Sequence, residues 1–158
     1  MFARVHLMII KFPILAALLA TGAWVVASPV DTASAVIVNS GSTNTAGFKI
    51  VVQNDGAAEY TPMLRAHPQP EGQHVLTPVK RNLPPALAHR LYSDLEAARP
   101  FSDLPRPRCM KSVSFGTRLI IQFHGDETPD LNCGAGQNAK LEALVEDAKQ
   151  IVAVFSAH

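Results

Sequence analysis

An acidic cluster near the end of the chain is the first group of side chains able to do chemistry. Asp126, Glu127 and Asp130 lie within one short stretch, and carboxylate oxygens are the ligands that calcium prefers. The stretch lacks the alternating acidic or amide residues, the fixed glycine and the distant glutamate of a calcium-binding loop. The sequence therefore favours a solvated turn over a calcium site.

Histidines form the second group, and their spacing argues against zinc. His67 and His74 flank a proline-rich stretch, whereas His89, His124 and His158 stand singly. Zinc sites need two or more ligands at short spacing, such as H-x-x-x-H, preferably with Cys or acidic residues nearby. We therefore predict no metal site and no cofactor.

Hydroxyl groups close to a histidine suggest nucleophilic catalysis. Ser112, Ser114 and Thr117 precede His124, but no G-x-S-x-G sequence places a serine on a sharp turn. Alternation of serine with apolar residues is more typical of a strand. A small hydrolase is the alternative function, and it requires His124 to meet Ser112, Ser114 or a loop acid at about 3 Å.

The two cysteines, Cys109 and Cys133, predict a disulfide if the chain reaches an oxidising compartment. Closing this loop would stabilise the fold by on the order of 3 kcal/mol in the loop-entropy model. The alternative makes one thiol a nucleophile, which needs a nearby base or cation to lower its pKa. His124 could supply such a base, but nothing in the sequence places it near either cysteine, so we favour the disulfide.

The beginning of the chain has the pattern of a secretory signal peptide. Arg4 and Lys11 precede an apolar run over residues 12–26, and small residues follow it. The run is short for a membrane span, which takes about 20 apolar residues, so the alternative of a retained anchor is less favoured. We predict cleavage between Ala27 and Ser28 and a periplasmic or secreted protein with no stable membrane anchor.

The expected organisation is a signal peptide over 1–27, a tether over 28–35 and a single domain over 36–158, with Ala33-Ser34-Ala35 as a second candidate cleavage site. Cleavage after residue 27 removes two of the 14 basic residues and no acid, which leaves 12 basic against 13 acidic. Nucleic acid and anionic lipid require clustered Lys and Arg. This balanced charge therefore predicts neither as a partner.

Strand patterns dominate the first half of the domain. Val36–Val38 and Phe48–Gln53 are rich in β-branched residues, and Asn54-Asp55-Gly56 separates the latter from Ala57–Thr61. An Asp-Gly between two such runs is a strong hairpin signal. Residues 62–74 are expected to form an exposed loop.

Further elements follow from periodicity. Val75–Val79 is predicted as an edge strand because of its proline. A helix is predicted from Pro84 or Pro85 up to Pro100. Ser112–Phe115 and Arg118–His124 are expected to be strands, and Gly125–Glu127 a turn. A second helix is expected after a cap at Asn138, with an apolar stripe of Leu141, Leu144, Val145, Ala148, Ile151, Val152 and Phe155.

Helices that follow hairpins predict an α+β domain, a small antiparallel sheet with two amphipathic helices packed on one face. The segments DGAAEY (55–60), CMKSVSFGT (109–117) and PDLNC (129–133) resemble a group of small, functionally uncharacterised exported bacterial proteins. That resemblance implies an envelope or secreted setting and a hairpin-helix-hairpin-helix order, and it implies no activity.

We therefore expect a non-enzymatic exported domain that binds a protein or peptide through its sheet edge or its loops. The alternatives are a small secreted hydrolase and a structural envelope component, and a large exposed apolar patch would favour the latter.

Overall fold

The computed structural model describes residues 34–63 and 77–156, which fall within one unit, Asp31–His158. The predicted signal peptide and its cleavage point at Ala27 and Ser28 lie outside the described residues. So do most of the predicted tether and all but the first two residues of the loop predicted over 62–74.

Six strands form one antiparallel sheet, and two α-helices accompany it in the described ranges. The order across the sheet is β4-β3-β2-β1-β5-β6. The predicted α+β class is confirmed. The elements are β1 (Ala35–Asn39), β2 (Gly47–Val52), β3 (Ala57–Met63), β4 (Val79–Asn82), α1 (Pro85–Ala98), β5 (Leu119–Phe123), β6 (Asp126–Glu127) and α2 (Ala139–Ser156).

The hairpin between β2 and β3 forms where Asp55-Gly56 predicts it. Gly56 N donates to Gln53 O at 2.9 Å, and Gly56 adopts φ 89°, a left-handed conformation that favours glycine. The Asp55 carboxylate accepts a hydrogen bond from Ala57 N at 2.9 Å. This three-residue loop is a turn followed by a left-handed glycine, a common hairpin connection.

The core lies on one face of the sheet. Ile37 of β1 is paired with Ile50 of β2 on one side and with Ile121 of β5 on the other, and all three are fully buried. Both helices cover this face, as predicted. They contribute Leu87, Ala88, Leu91, Leu95 and Ala98 from α1 and Leu141, Leu144, Val145, Ala148, Ile151 and Phe155 from α2.

Both helices begin and end close to the predicted signals. Helix α1 starts at Pro85 and ends two residues before Pro100, where the chain turns into a short 3₁₀ helix. The Asn138 side chain caps α2 by accepting a hydrogen bond from Leu141 N at 2.9 Å. This bond satisfies one of the free N–H groups at the first turn of the helix.

Two predicted elements lie at shifted positions in the structure. The strand predicted over Val75–Val79 begins at Val79 within the described residues and runs to Asn82, although it does lie at a sheet edge. The turn predicted over Gly125–Glu127 is centred on His124-Gly125 instead, since Asp126 and Glu127 pair with β5.

The strand predicted over Ser112–Phe115 is wrong. This segment is a tight turn in which Gly116 N donates to Ser112 O at 2.7 Å. Val113 and Phe115 are 88% and 68% exposed, so their side chains do not pack against the sheet. The alternation of serine with apolar residues therefore does not reflect pairing with another strand.

An ion pair between α1 and α2 interrupts the apolar packing. Asp147 is fully buried, and its Oδ1 accepts a hydrogen bond from Arg90 Nε at 2.6 Å. Its second oxygen, Oδ2, is buried without a hydrogen-bond partner among the described residues. Burial raises the pKa of the Asp147 carboxyl, Arg90 opposes that rise, and Asp94 adds to it.

The raised pKa predicts that mild acid stabilises this helix pair. Below the raised value and above the ordinary value of 3.8, native Asp147 holds a proton that the unfolded chain lacks. Its contribution to stability is therefore lost as the pH rises through the native pKa and gained as the pH falls. Relative to Asp147→Asn, the wild-type free energy of unfolding should increase between pH 7 and pH 4, as measured by urea denaturation.

Glu142→Gln, an exposed change on the same helix, serves as the control and should follow the wild-type pH dependence. A difference between wild type and Asp147→Asn that stays constant over this range would contradict the assignment.

Candidate interaction site

His124 and Ser112, which a hydrolase would need side by side, each contact other residues. His124 occupies the β5–β6 turn, where its ring lies 4.1 Å from that of Phe123 and its Nε2 lies 3.4 Å from Glu96 Oε1. The Ser112 hydroxyl instead accepts a hydrogen bond from Ser114 N at 3.2 Å. The histidine is therefore partnered by a glutamate of α1, and the serine by its own loop.

The three loop acids also have separate surroundings. Asp126 and Glu127 are exposed on β6, and Glu127 lies 3.7 Å from Arg118. Asp130 is largely buried, and its Oδ1 accepts hydrogen bonds at 3.1 Å from Leu119 N and from Asn132 N. Asp130 thus organises the backbone around it.

Metal coordination finds no support in residues 34–63 and 77–156, where no group of three or more His, Cys, Asp or Glu side chains is arranged to hold an ion. His89 is exposed on α1, whereas His67, His74 and His158 lie outside the described residues.

The disulfide joins Cys109 to Cys133, as the sequence predicts, with their Cα atoms 5.3 Å apart. It links the long connection after α1 to a short 3₁₀ helix, Leu131–Cys133, ahead of α2. Residues 109–117, which we call the 109–117 loop, are therefore covalently attached at their first residue to a part of the chain that packs on the core through Leu131.

The 109–117 loop presents three apolar side chains to solvent. Met110 is fully exposed, and Val113 and Phe115 are 88% and 68% exposed. Elsewhere in the described ranges, the large apolar side chains classed as exposed are Met63 and Val79, each at 38%. The sequence pattern did not reveal this cluster because it predicts a strand over Ser112–Phe115, and a strand would bury the side chains on one of its faces.

The loop is attached to the rest of the fold mainly through its backbone. Ser114 O accepts hydrogen bonds from Asn44 N at 3.0 Å and from the Ser42 hydroxyl at 2.8 Å. Val113 O accepts a third, from the Thr43 hydroxyl at 3.4 Å. These two carbonyl groups thus face the connection between β1 and β2, and the side chains of Val113 and Phe115 face solvent.

Lys111 and Asn132 fasten the far end of the loop. The Lys111 ammonium donates to Thr117 O and to the Asp130 carboxylate. Asn132 Nδ2 donates to Thr117 O at 3.0 Å and to the Thr117 hydroxyl at 2.9 Å. Polar bonds and the disulfide therefore position a loop whose apolar side chains take no part in holding it.

Gly116 is required by the tightness of this turn. A Cβ atom at this position would lie 2.5 Å from Ser112 O and 2.6 Å from Lys111 Cβ. Real Cβ atoms do not approach other atoms so closely, and the backbone oxygen cannot move without breaking the turn. The close approach therefore selects glycine.

A shallow depression of about 650 Å³ lies elsewhere, across β2, β3 and β4. Its lining includes Val51, Glu59 and Lys80, and the last two form an ion pair at 3.4 Å. Arg81 also lines the depression and donates a hydrogen bond to Val154 O, and the lining contains no histidine, cysteine or serine.

No family model matches the chain, and no curated protein is significantly similar to it. Within the described residues, neither helix combines the length and the apolar character that crossing a membrane requires.

The Gly116 contacts generate a test of the loop's attachment. Gly116→Ala should displace the 109–117 loop and break the hydrogen bond from Asn44 N to Ser114 O, while the core stays folded. We expect hydrogen exchange at the Asn44 amide to accelerate by on the order of tenfold or more, because its protection depends on this local contact. Exchange at core amides such as Ile37 should not change.

Gly125→Ala provides the matched control. A Cβ atom at Gly125 would meet nothing within 4 Å, although φ is 83° there, so this change strains a turn without touching the 109–117 loop. Equal effects of the two substitutions on Asn44 would show that the loop is not held as described.

Proposed function

We propose that this chain is an exported, non-enzymatic binding domain whose contact surface is the 109–117 loop. The observation that carries the proposal is the exposure of Met110, Val113 and Phe115 on a loop fixed by a disulfide and by backbone hydrogen bonds. Clustered exposed apolar side chains mark interaction sites on water-exposed proteins.

The energetics of association favour such an arrangement. Each apolar side chain transferred from water contributes about 25 cal/mol per Å² of area removed, and aromatic residues are frequent among the residues that dominate binding. A loop already held in one conformation loses little conformational entropy when a partner binds. Phe115 and its two apolar neighbours can therefore contribute to affinity without a large ordering cost.

Export is proposed from two supporting features. The apolar leader has the sequence of a signal peptide, and the Cys109–Cys133 disulfide is of a kind that persists in oxidising compartments. Both features support the proposal of a periplasmic or secreted location. A protein or peptide is the partner that the sequence leads us to expect, and the apolar loop would serve an envelope component equally well.

The side chains that catalysis would use are engaged in other ways. His124 faces Glu96, and the hydroxyl of Ser112 accepts a hydrogen bond within its own turn. Binding through the exposed apolar side chains of the 109–117 loop uses neither of these groups.

Replacement of all three apolar side chains tests the proposal. Met110→Ser combined with Val113→Ser and Phe115→Ser should abolish association while changing the free energy of unfolding by less than about 0.5 kcal/mol per site, because exposed positions contribute little to stability. The measurement is the fraction of the protein found in complexes when extracts of exporting cells are separated by size.

Val79→Ser is the matched control, since it removes an apolar side chain from β4, at the other edge of the sheet from β6. The control should associate like wild type. If the triple variant and wild type are found in complexes to the same extent, the loop is not the contact surface.

The proposed export has its own test. Intact mass measured on the exported protein should correspond to a chain that begins at Ser28, and reduction should add two hydrogens. A full-length protein recovered from the cytosol, with Cys109 and Cys133 both open to alkylation, would contradict export and the oxidising compartment together.

A further inference from the structure

We infer that the 109–117 loop binds the surface of an anionic phospholipid bilayer, with Met110, Val113 and Phe115 entering the interfacial region and Arg106 and Arg108 lying at the headgroups. The inference rests on the proposed function, because it names the partner of the same contact surface. It describes reversible binding at the surface of a membrane.

Between Asp103 and Asp126, the stretch that contains the loop carries basic residues and no acidic ones. The stretch from residue 104 to residue 125 contains four basic residues and no acidic one. Two of them, Lys111 and Arg118, lie within ion-pair distance of Asp130. Arg106 and Arg108 are the other two; both are exposed, and neither is ion-paired within the described ranges.

The balanced charge of the whole domain hides this local segregation. The sequence predicts no footprint for anionic lipid because basic and acidic residues nearly cancel over the mature chain. A membrane, however, senses charges only within about 10 Å, the distance over which salt screens them. We therefore expect Arg106 and Arg108, which are close in sequence to the apolar loop, to be the charges that act at the contact.

The hydrogen bonding of the loop suits entry into an interface with little water. An unpaired backbone carbonyl is costly there, since no water replaces the lost hydrogen bond. In this loop Ser112 O, Val113 O and Ser114 O each accept a hydrogen bond from the protein, and so does Thr117 O. These four carbonyl groups can therefore enter the interface with their hydrogen bonds already made.

The high exposure of the apolar side chains favours a lipid bilayer over a protein pocket as the partner. Protein interfaces match rigid pockets to side chains that are partly supported by their neighbours. Met110 and Val113 stand almost clear of the surface, at 104% and 88% exposure, on a loop tip. A bilayer interface accommodates such side chains without shape complementarity, and it combines apolar insertion with attraction of nearby cations.

Sedimentation with lipid vesicles tests the inference on the protein as the exporting cell releases it. We expect binding to vesicles of phosphatidylcholine mixed with phosphatidylglycerol, much weaker binding to phosphatidylcholine alone, and a fall in binding as salt is raised. The triple serine variant should lose at least roughly tenfold in affinity, because it removes the inserted apolar area. Val79→Ser should bind like wild type.

Charge and insertion are separated by two further arms. Arg106→Gln combined with Arg108→Gln should weaken binding to the anionic vesicles by roughly fivefold per charge, and it should leave the residual binding to phosphatidylcholine unchanged. Free glycerol phosphate should not compete, because it offers the arginines an anion but gives the apolar side chains no interface. Effective competition would identify a soluble phosphate ligand and overturn the inference.

The remaining outcomes distinguish this inference from the proposed function. The lipid assignment would be overturned if the wild-type protein did not bind anionic vesicles. It would also be overturned if the triple serine variant and the double arginine variant both bound them as tightly as wild type. If the protein does not bind vesicles, but forms complexes in cell extracts that the triple serine variant does not form, the binding function stands and its partner is a protein. If neither depends on the loop, both fall.

Discussion

The pairing of β1 with β2 on one side and with β5 on the other is the constraint on which the rest of the structure depends. Ile37 sits at the centre of this arrangement, opposite Ile50 and Ile121, and all three are inaccessible to solvent. One face of the sheet must be covered to bury them, and α1 and α2 supply the cover. Tyr92 of α1 reinforces it, because its hydroxyl donates to Val52 O at 2.7 Å and accepts from Ala35 N at 3.2 Å.

The same pairing decides where the 109–117 loop lies. Asn39 ends β1 opposite Leu119, which begins β5, so the segments beyond them leave the sheet side by side. Ser40 N donates to Arg118 O at 2.9 Å, and Arg118 N donates to the Ser40 hydroxyl at the same distance. The connection after β1 therefore meets the loop before β5 as a continuation of the sheet.

Local signals in the sequence account for much of the fold. The β2–β3 hairpin follows from Asp55-Gly56, and α2 follows from its apolar period and the Asn138 cap, because each signal and its structure occupy the same few residues. Asp147 shows the limit of that approach. It lies within the stripe formed by Leu144 and Ile151, yet it is buried because Arg90, far away in sequence, supplies its partner.

The candidate site depended on interactions of that non-local kind, and the sequence predicted it poorly. Alternating Ser112 to Phe115 is typical of a strand, but the competing hydrogen bonds come from residues 42–44, some seventy positions earlier. The disulfide was predictable, since the sequence leads us to expect export and two cysteines in an oxidising compartment usually pair. What could not be read from the residues was that the bond would anchor an exposed apolar loop and not a second hairpin.

The division of roles within the 109–117 loop is the strongest support for the proposal that it binds a partner. In the core, apolar side chains stabilise the structure by packing together, and this packing buries them. In the loop, the disulfide, Lys111 and Asn132 hold the backbone, so Met110, Val113 and Phe115 can remain exposed without the loop collapsing to bury them. Polar attachment thus separates the position of the loop from the chemistry of its surface, and that chemistry is apolar beside two unpaired arginines.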